Sequence, residues 1–177
     1  MSRREVTAGV VIIAVAVLTG VLAAGISWLG AATAFEPVPR GDQLGQETGE
    51  DFNDYAARAT DSLAAAPAEV PVYALLTFTG VLSSAQASEA LGSINRVSAV
   101  IPDGSAAQPV GEPKASRDRS EQFRFAAGDR IAGAVVRDTG DVLRVVAQDP
   151  LIAAAETLPP DAVWGAFGVR QVEVLPR

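Results

Sequence analysis

Residues 72–102, VYALLTFTGVLSSAQASEALGSINRVSAVIP, and residues 130–160, RIAGAVVRDTGDVLRVVAQDPLIAAAETLPP, carry one plan twice. In the first copy, 72–79 is rich in β-formers and apolar on both alternating sets, which predicts a strand buried on both faces. Ser83 and Gln86 have the spacing of a capping box that opens a short helix to Leu91, and 97–101 predicts a second strand. In the second copy, 131–136 predicts a strand, Asp138 or Thr139 can cap a helix over 141–148, and 151–157 returns as strand. Identity between the copies is poor, yet the order of elements is the same and both end at proline. Each copy has about the thirty-residue length of one βαβ unit.

Two such units in tandem predict an α+β domain of the βαββαβ, ferredoxin-like kind, an antiparallel sheet with both helices on one face. The other face then needs a cover. Two segments are available. Residues 50–66 read as an amphipathic helix, with Phe52, Tyr55, Ala59 and Leu63 at three- and four-residue steps and acids in the first turn. Pro67 ends it. Residues 163–174, with Trp164, Phe167, Val172 and Val174, are expected to end as an extra C-terminal strand. Between the halves, 102–120 is rich in proline, glycine and serine and is expected to be a long exposed loop. Phe123 and Phe125 beyond it alternate as a strand extension would.

Upstream of the domain, Arg3 and Arg4 precede an apolar run over 6–29 interrupted only by Thr7, Thr19, Ser27 and small residues. A hydrocarbon core of roughly 30 Å needs about 20 helical residues, so the run predicts a transmembrane helix. Positive residues stay on the cytoplasmic side. That leaves 1–5 in the cytoplasm and places everything after the span outside, with Trp28 at the outer interface. Beyond the span, 36–69 holds eight carboxylates against Arg40 and Arg58. The expected division is 1–5 cytoplasmic, 6–29 spanning, 30–49 linker and 50–177 extracytoplasmic domain. The competing reading is a cleaved signal peptide, for which 32–34, Ala-Thr-Ala, offers a processing site before Phe35; its apolar region would be longer than the usual 7 to 15 residues. Thirteen arginines against the single Lys114, with abundant alanine, glycine and valine, suggest a GC-rich genome of the actinobacterial kind.

The chain has no cysteine and no histidine. Imidazole bases, thiolate nucleophiles and disulfides are therefore excluded, and zinc loses its usual ligands. A serine and lysine dyad would need Lys114 desolvated, and it lies in a polar stretch. No glycine-rich phosphate loop stands at either strand-to-helix junction. A formal net charge of −7 disfavours nucleic acid. No catalytic residue, cofactor or metal ligand is expected. Two interaction features remain. Ala16, Gly20 and Ala24 recur every four residues along the span, a small-residue stripe along which a second helix could pack closely. Lys114, Arg117, Arg119 and Arg124 concentrate positive charge in an otherwise acidic outer domain, where they are a solvated loop or a docking site for an acidic partner.

No motif is specific enough to name a family. In outline the outer domain resembles ferredoxin-like modules, including those of protease propeptides, which present a sheet face to a partner. The expected function is a non-catalytic, single-pass accessory or assembly subunit of a larger membrane complex, such as a respiratory or envelope-biogenesis complex. Its expected contacts are the lipid bilayer and a membrane protein partner. The alternative is a membrane-anchored extracytoplasmic binding module for a peptide or envelope ligand.

Overall fold

The computed structural model describes residues 41–111 and 118–174. These form a mixed α+β domain with four helices and seven strands. The expected span over 6–29, the stripe Ala16, Gly20 and Ala24, and the basic residues Lys114 and Arg117 lie outside the described residues. Among those described, no helix is long and apolar enough to cross a membrane.

Strand β1 is Gln43–Leu44, followed by helix α1, Phe52–Ala65. Asp51 caps α1, its carboxylate accepting from the Asn53 and Asp54 amides at 2.8 and 3.0 Å, which satisfies donors the first turn leaves orphaned. The first repeat is β2 (Pro71–Leu82), α2 (Ser84–Ala90) and β3 (Arg96–Pro102), and the Ser83–Gln86 capping box is formed. The second is β5 (Ile131–Thr139), α4 (Gly140–Val146) and β6 (Ile152–Thr157), with Thr139 capping α4. Between the repeats lie β4 (Gln108–Pro109) and α3 (Arg119–Ala127). The C-terminal segment contributes β7 (Gly168–Val169).

The main sheet runs β4-β3-β5-β2-β6 with every neighbouring pair antiparallel. The two strands of the first repeat, β2 and β3, do not touch, because β5 lies between them. Likewise β2 separates β5 from β6. Each repeat therefore completes its ladder only with the other's first strand, so neither can close its backbone hydrogen bonds alone. Both sheet edges are blunted. Beyond β3 stands the two-residue β4 with its proline, and α1 covers β6, where Ser62 Oγ accepts from the Thr157 amide at 2.9 Å.

On one face, Val72, Ala74, Leu76 and Phe78 of β2 pack with Val97, Val100, Ala134 and Val136 against Ala87 of α2 and its C-cap Leu91, Phe123 of α3 and Leu143 and Val146 of α4. Arginines close the helix ends. Arg119 on α3 donates to the Leu91 and Ile94 carbonyls at 2.5 and 2.9 Å, and Arg144 on α4 donates to those of Leu63 and Ala66 at 2.9 and 3.1 Å. Gly140 is required by close approach: a Cβ there would stand 2.5 Å from the Pro67 carbonyl oxygen.

Three expectations are corrected. The stretch 30–49 is not linker throughout, because from Gly41 onward it is part of the domain: Leu44 is fully buried and β1 pairs with β7 in parallel. Its polar composition reflects a strap that crosses the surface with few inward residues. Phe123 and Phe125 belong to helix α3 rather than a strand. Asp118 caps its start and Gly128, at φ +67°, its end, leaving Phe123 buried and Phe125 87% exposed. The 102–120 segment is not loop throughout, since it contains β4 and the start of α3. The expected C-terminal strand is formed as β7, two residues long and paired with β1 in a sheet of its own.

Candidate functional site: a groove on the second sheet face

The other sheet face carries Tyr73, Leu75, Ala99, Ile101 and Val135, covered by Leu44, Leu158, Phe167, Val169 and Val172. Beside them Tyr55 and Ala59 of α1 pack on Ala154 of β6. This cover is held by charge. Glu156, 3% exposed, accepts from the Gly45 amide at 2.6 Å and from Arg58. The Arg58 guanidinium also grips both oxygens of Glu50, at 3.0 and 2.9 Å, and the Gly45 carbonyl at 3.1 Å. Arg58 lies 5.5 Å over the Tyr55 ring, whose hydroxyl is 3.3 Å from Thr77 Oγ1. Gly45 makes the arrangement possible. At φ +101° it takes a conformation that side chains resist, and a Cβ would lie 2.3 Å from the Arg170 carbonyl oxygen.

The fork from Arg58, helped by the Glu47 backbone, holds the Glu50 carboxyl down at about 2. Burial pushes Glu156 above the usual carboxylate range, although the Gly45 amide and Arg58 pull against it. Desolvation also raises Tyr55. Each of these shifts belongs to a clamp tying strap, helix and sheet together, beside a polar hollow of about 400 Å³ lined by Gly41, Gln43, Gly45, Glu47, Arg58 and Arg170.

The cover stops short of the far end of the face. There a groove of about 580 Å³ is lined by Leu75, Thr77 and Thr79 of β2, Ile101 of β3, Gly133 of β5 and the tail residues 170–174. Its origin lies in β2. The β2–β5 register jumps from Thr77↔Gly133 to Leu82↔Ile131, so the stretch around Gly80 bulges from the ladder as extra residues do. Gly133 adds room, having no side chain where its cross-strand partners Thr77 and Ile101 do. A Cβ at Gly133 would stand 2.7 Å from the Leu76 carbonyl oxygen, whereas one at Gly80 would meet nothing within 4 Å. The walls are mostly apolar, with Arg170, Glu173 and Asp103 at the rim. A concavity with such walls has the shape and lining suited to an extended apolar segment.

Of the sequence-derived docking residues, Arg119 and Arg124 can be placed. Arg119 spends its guanidinium on the Leu91 and Ile94 carbonyls, holding α3 against α2. Arg124 is exposed beside Phe125 on α3, on the helix-bearing side and away from the groove. Among the described residues, no group of three or more acidic side chains could hold a metal ion. The groove itself was not foreseen. The only signals for it were Gly80 inside a strand-like run and Gly133 in the next, each a mark of a bulge or close approach. No family model, curated protein or solved structure matches the chain.

Proposed function

We propose that this protein is a non-catalytic, single-pass membrane accessory subunit whose extracytoplasmic domain, a ferredoxin-like module, docks an extended apolar segment of a membrane partner in the groove of its second sheet face. The strand order β4-β3-β5-β2-β6 supports the ferredoxin-like reading, because removing the short β4 leaves the interleaved order of two βαβ units. The apolar run over 6–29 supports the anchor. One observation carries the docking: an apolar groove stays open on a face whose remainder is closed by a strap, a helix and a tail. The stripe Ala16, Gly20 and Ala24 is proposed as a lateral contact for the partner's own helix, and Lys114, Arg117 and Arg124 as a separate basic fringe for an acidic surface. Arg119 has a holding role within the domain.

Purification of the tagged full chain in mild detergent tests this reading. A stoichiometric membrane partner is expected, and Gly80→Leu, which fills the groove from a position with free space, is expected to abolish its recovery. A repeatedly clean monomer would refute the proposal. The groove also favours a second reading, a self-sufficient binding module. A chain starting at Pro39 that keeps all of the affinity without the span would select it.

A further inference from the structure

At the end of the second face away from the groove, Tyr73 is the hub of an aromatic cluster. Its ring centroid lies 5.9 Å from that of Trp164 and 5.2 Å from that of Phe167, and the Arg137 guanidinium stands 5.6 Å over the ring. Directly across the β3–β5 ladder from Arg137 is Arg96. Residues opposite one another in an antiparallel pair share a face, and like charges so placed repel. Among the described residues, neither side chain makes an ion pair or a hydrogen bond. Among the described residues, these two facing cations thus have no ion-pair partner. Beside them Val163 and Trp164 are 64% and 36% exposed.

The chain enters the domain at this place. Gly41 lies against the Ala166 carbonyl, and the Asp42 carbonyl accepts from the Gly168 amide at 3.0 Å. From Leu29, where the apolar run ends, to Gly41 the backbone can reach at most about 40 Å. We infer that the surface formed by Arg96, Arg137, Tyr73, Val163 and Trp164 rests on the bilayer, Trp164 in the headgroup layer and the two arginines on lipid phosphates. This rests on the anchored reading above. Tryptophan favours the membrane interface, and guanidinium forks match phosphate oxygens. The exposed carboxylates Asp42 and Asp161 border the same stretches of chain, which selects a zwitterionic headgroup, its ammonium meeting the acids, over a purely anionic one.

The test uses the full chain with W28F, which leaves Trp164 as the sole tryptophan, reconstituted in phosphatidylcholine vesicles brominated near the top of the acyl chain. The chain is expected to float with the vesicles, with Trp164 emission quenched several-fold and shielded from aqueous iodide. Arg96→Gln, at an exposed position, is expected to relieve most of that quenching while flotation and the circular dichroism spectrum stay unchanged. A floating chain whose Trp164 stays open to iodide and unquenched would overturn the lipid-facing surface but not the anchor, as it would if a protein were the occupant. Quenching undiminished by Arg96→Gln would overturn the phosphate contact. A chain that fails to float would bring down the anchored reading and this inference with it.

Discussion

The two faces of the sheet are built on different principles. The helix face is closed by side chains alone: Phe123, Leu91 and Leu143 from three helices meet Leu76, Val100 and Val136, and all six are buried. The second face is closed by a strap, one helix and a tail joined through the Glu156–Arg58–Glu50 clamp, and it leaves a groove. A face packed by helices is complete in itself, since interiors tolerate few voids. One closed by chain segments is complete only where they reach, so on the proposed function the first face carries stability and the second recognition.

The largest expected effect falls on the helix face. Phe123→Ala removes a fully buried ring and should cost about 3–5 kcal/mol in chemical denaturation. A cost below about 1 kcal/mol would mean that this face is not the stability core. Next comes the clamp. Arg58→Met leaves Glu156 buried without its cation, which should cost about 2 kcal/mol at neutral pH, below the usual cost of breaking a buried pair because Arg58 is partly exposed. That cost should shrink in acid. Glu156 titrates above the ordinary range in the folded chain, so the protonated carboxyl suits its site better, and the penalty grows as pH rises through its folded value.

Glu50 has the opposite sign. Held at about 2 against an ordinary 4.5, it contributes stability that is complete above 4.5 and fades as pH falls towards 2. Glu50→Gln should therefore flatten the acid limb of a stability–pH curve, and an unchanged limb would remove Glu50 from the clamp. The smallest effect on stability belongs to Gly80. Gly80→Leu should stay within about 0.5 kcal/mol of the parent chain, while Gly133→Ala, driven towards the Leu76 carbonyl, should cost about 1–3 kcal/mol. Equal costs would mean that the groove at Gly80 is not open.

Local chemistry made most elements legible. The Ser83–Gln86 box and the apolar strands stand in the sequence as they stand in the fold, and of the two candidate caps, Asp138 and Thr139, the fold uses Thr139. Long-range pairing was not legible. Nothing in the periodicity of β2 says that β5 rather than β3 lies beside it, since apolar alternation fixes a face and never a neighbour. The strap was hidden for the same reason, for its hold on the domain is the Gly45 amide bonded to Glu156, 111 positions away. At Phe123 and Phe125 a two-residue alternation outweighed the Asp118 and Gly128 caps that mark a helix. The candidate site was the least legible, because a groove made by a bulge and a missing side chain leaves only two glycines as its trace.

The division of labour between the faces can be tested in native membranes with a photo-crosslinking residue placed in the full chain at Val81, beside the groove, and separately at Val145 on α4, both exposed. The expected result is one discrete membrane-protein adduct from position 81 and none from position 145. Adducts from Val145 with none from Val81 would contradict the account and move recognition to the helix face.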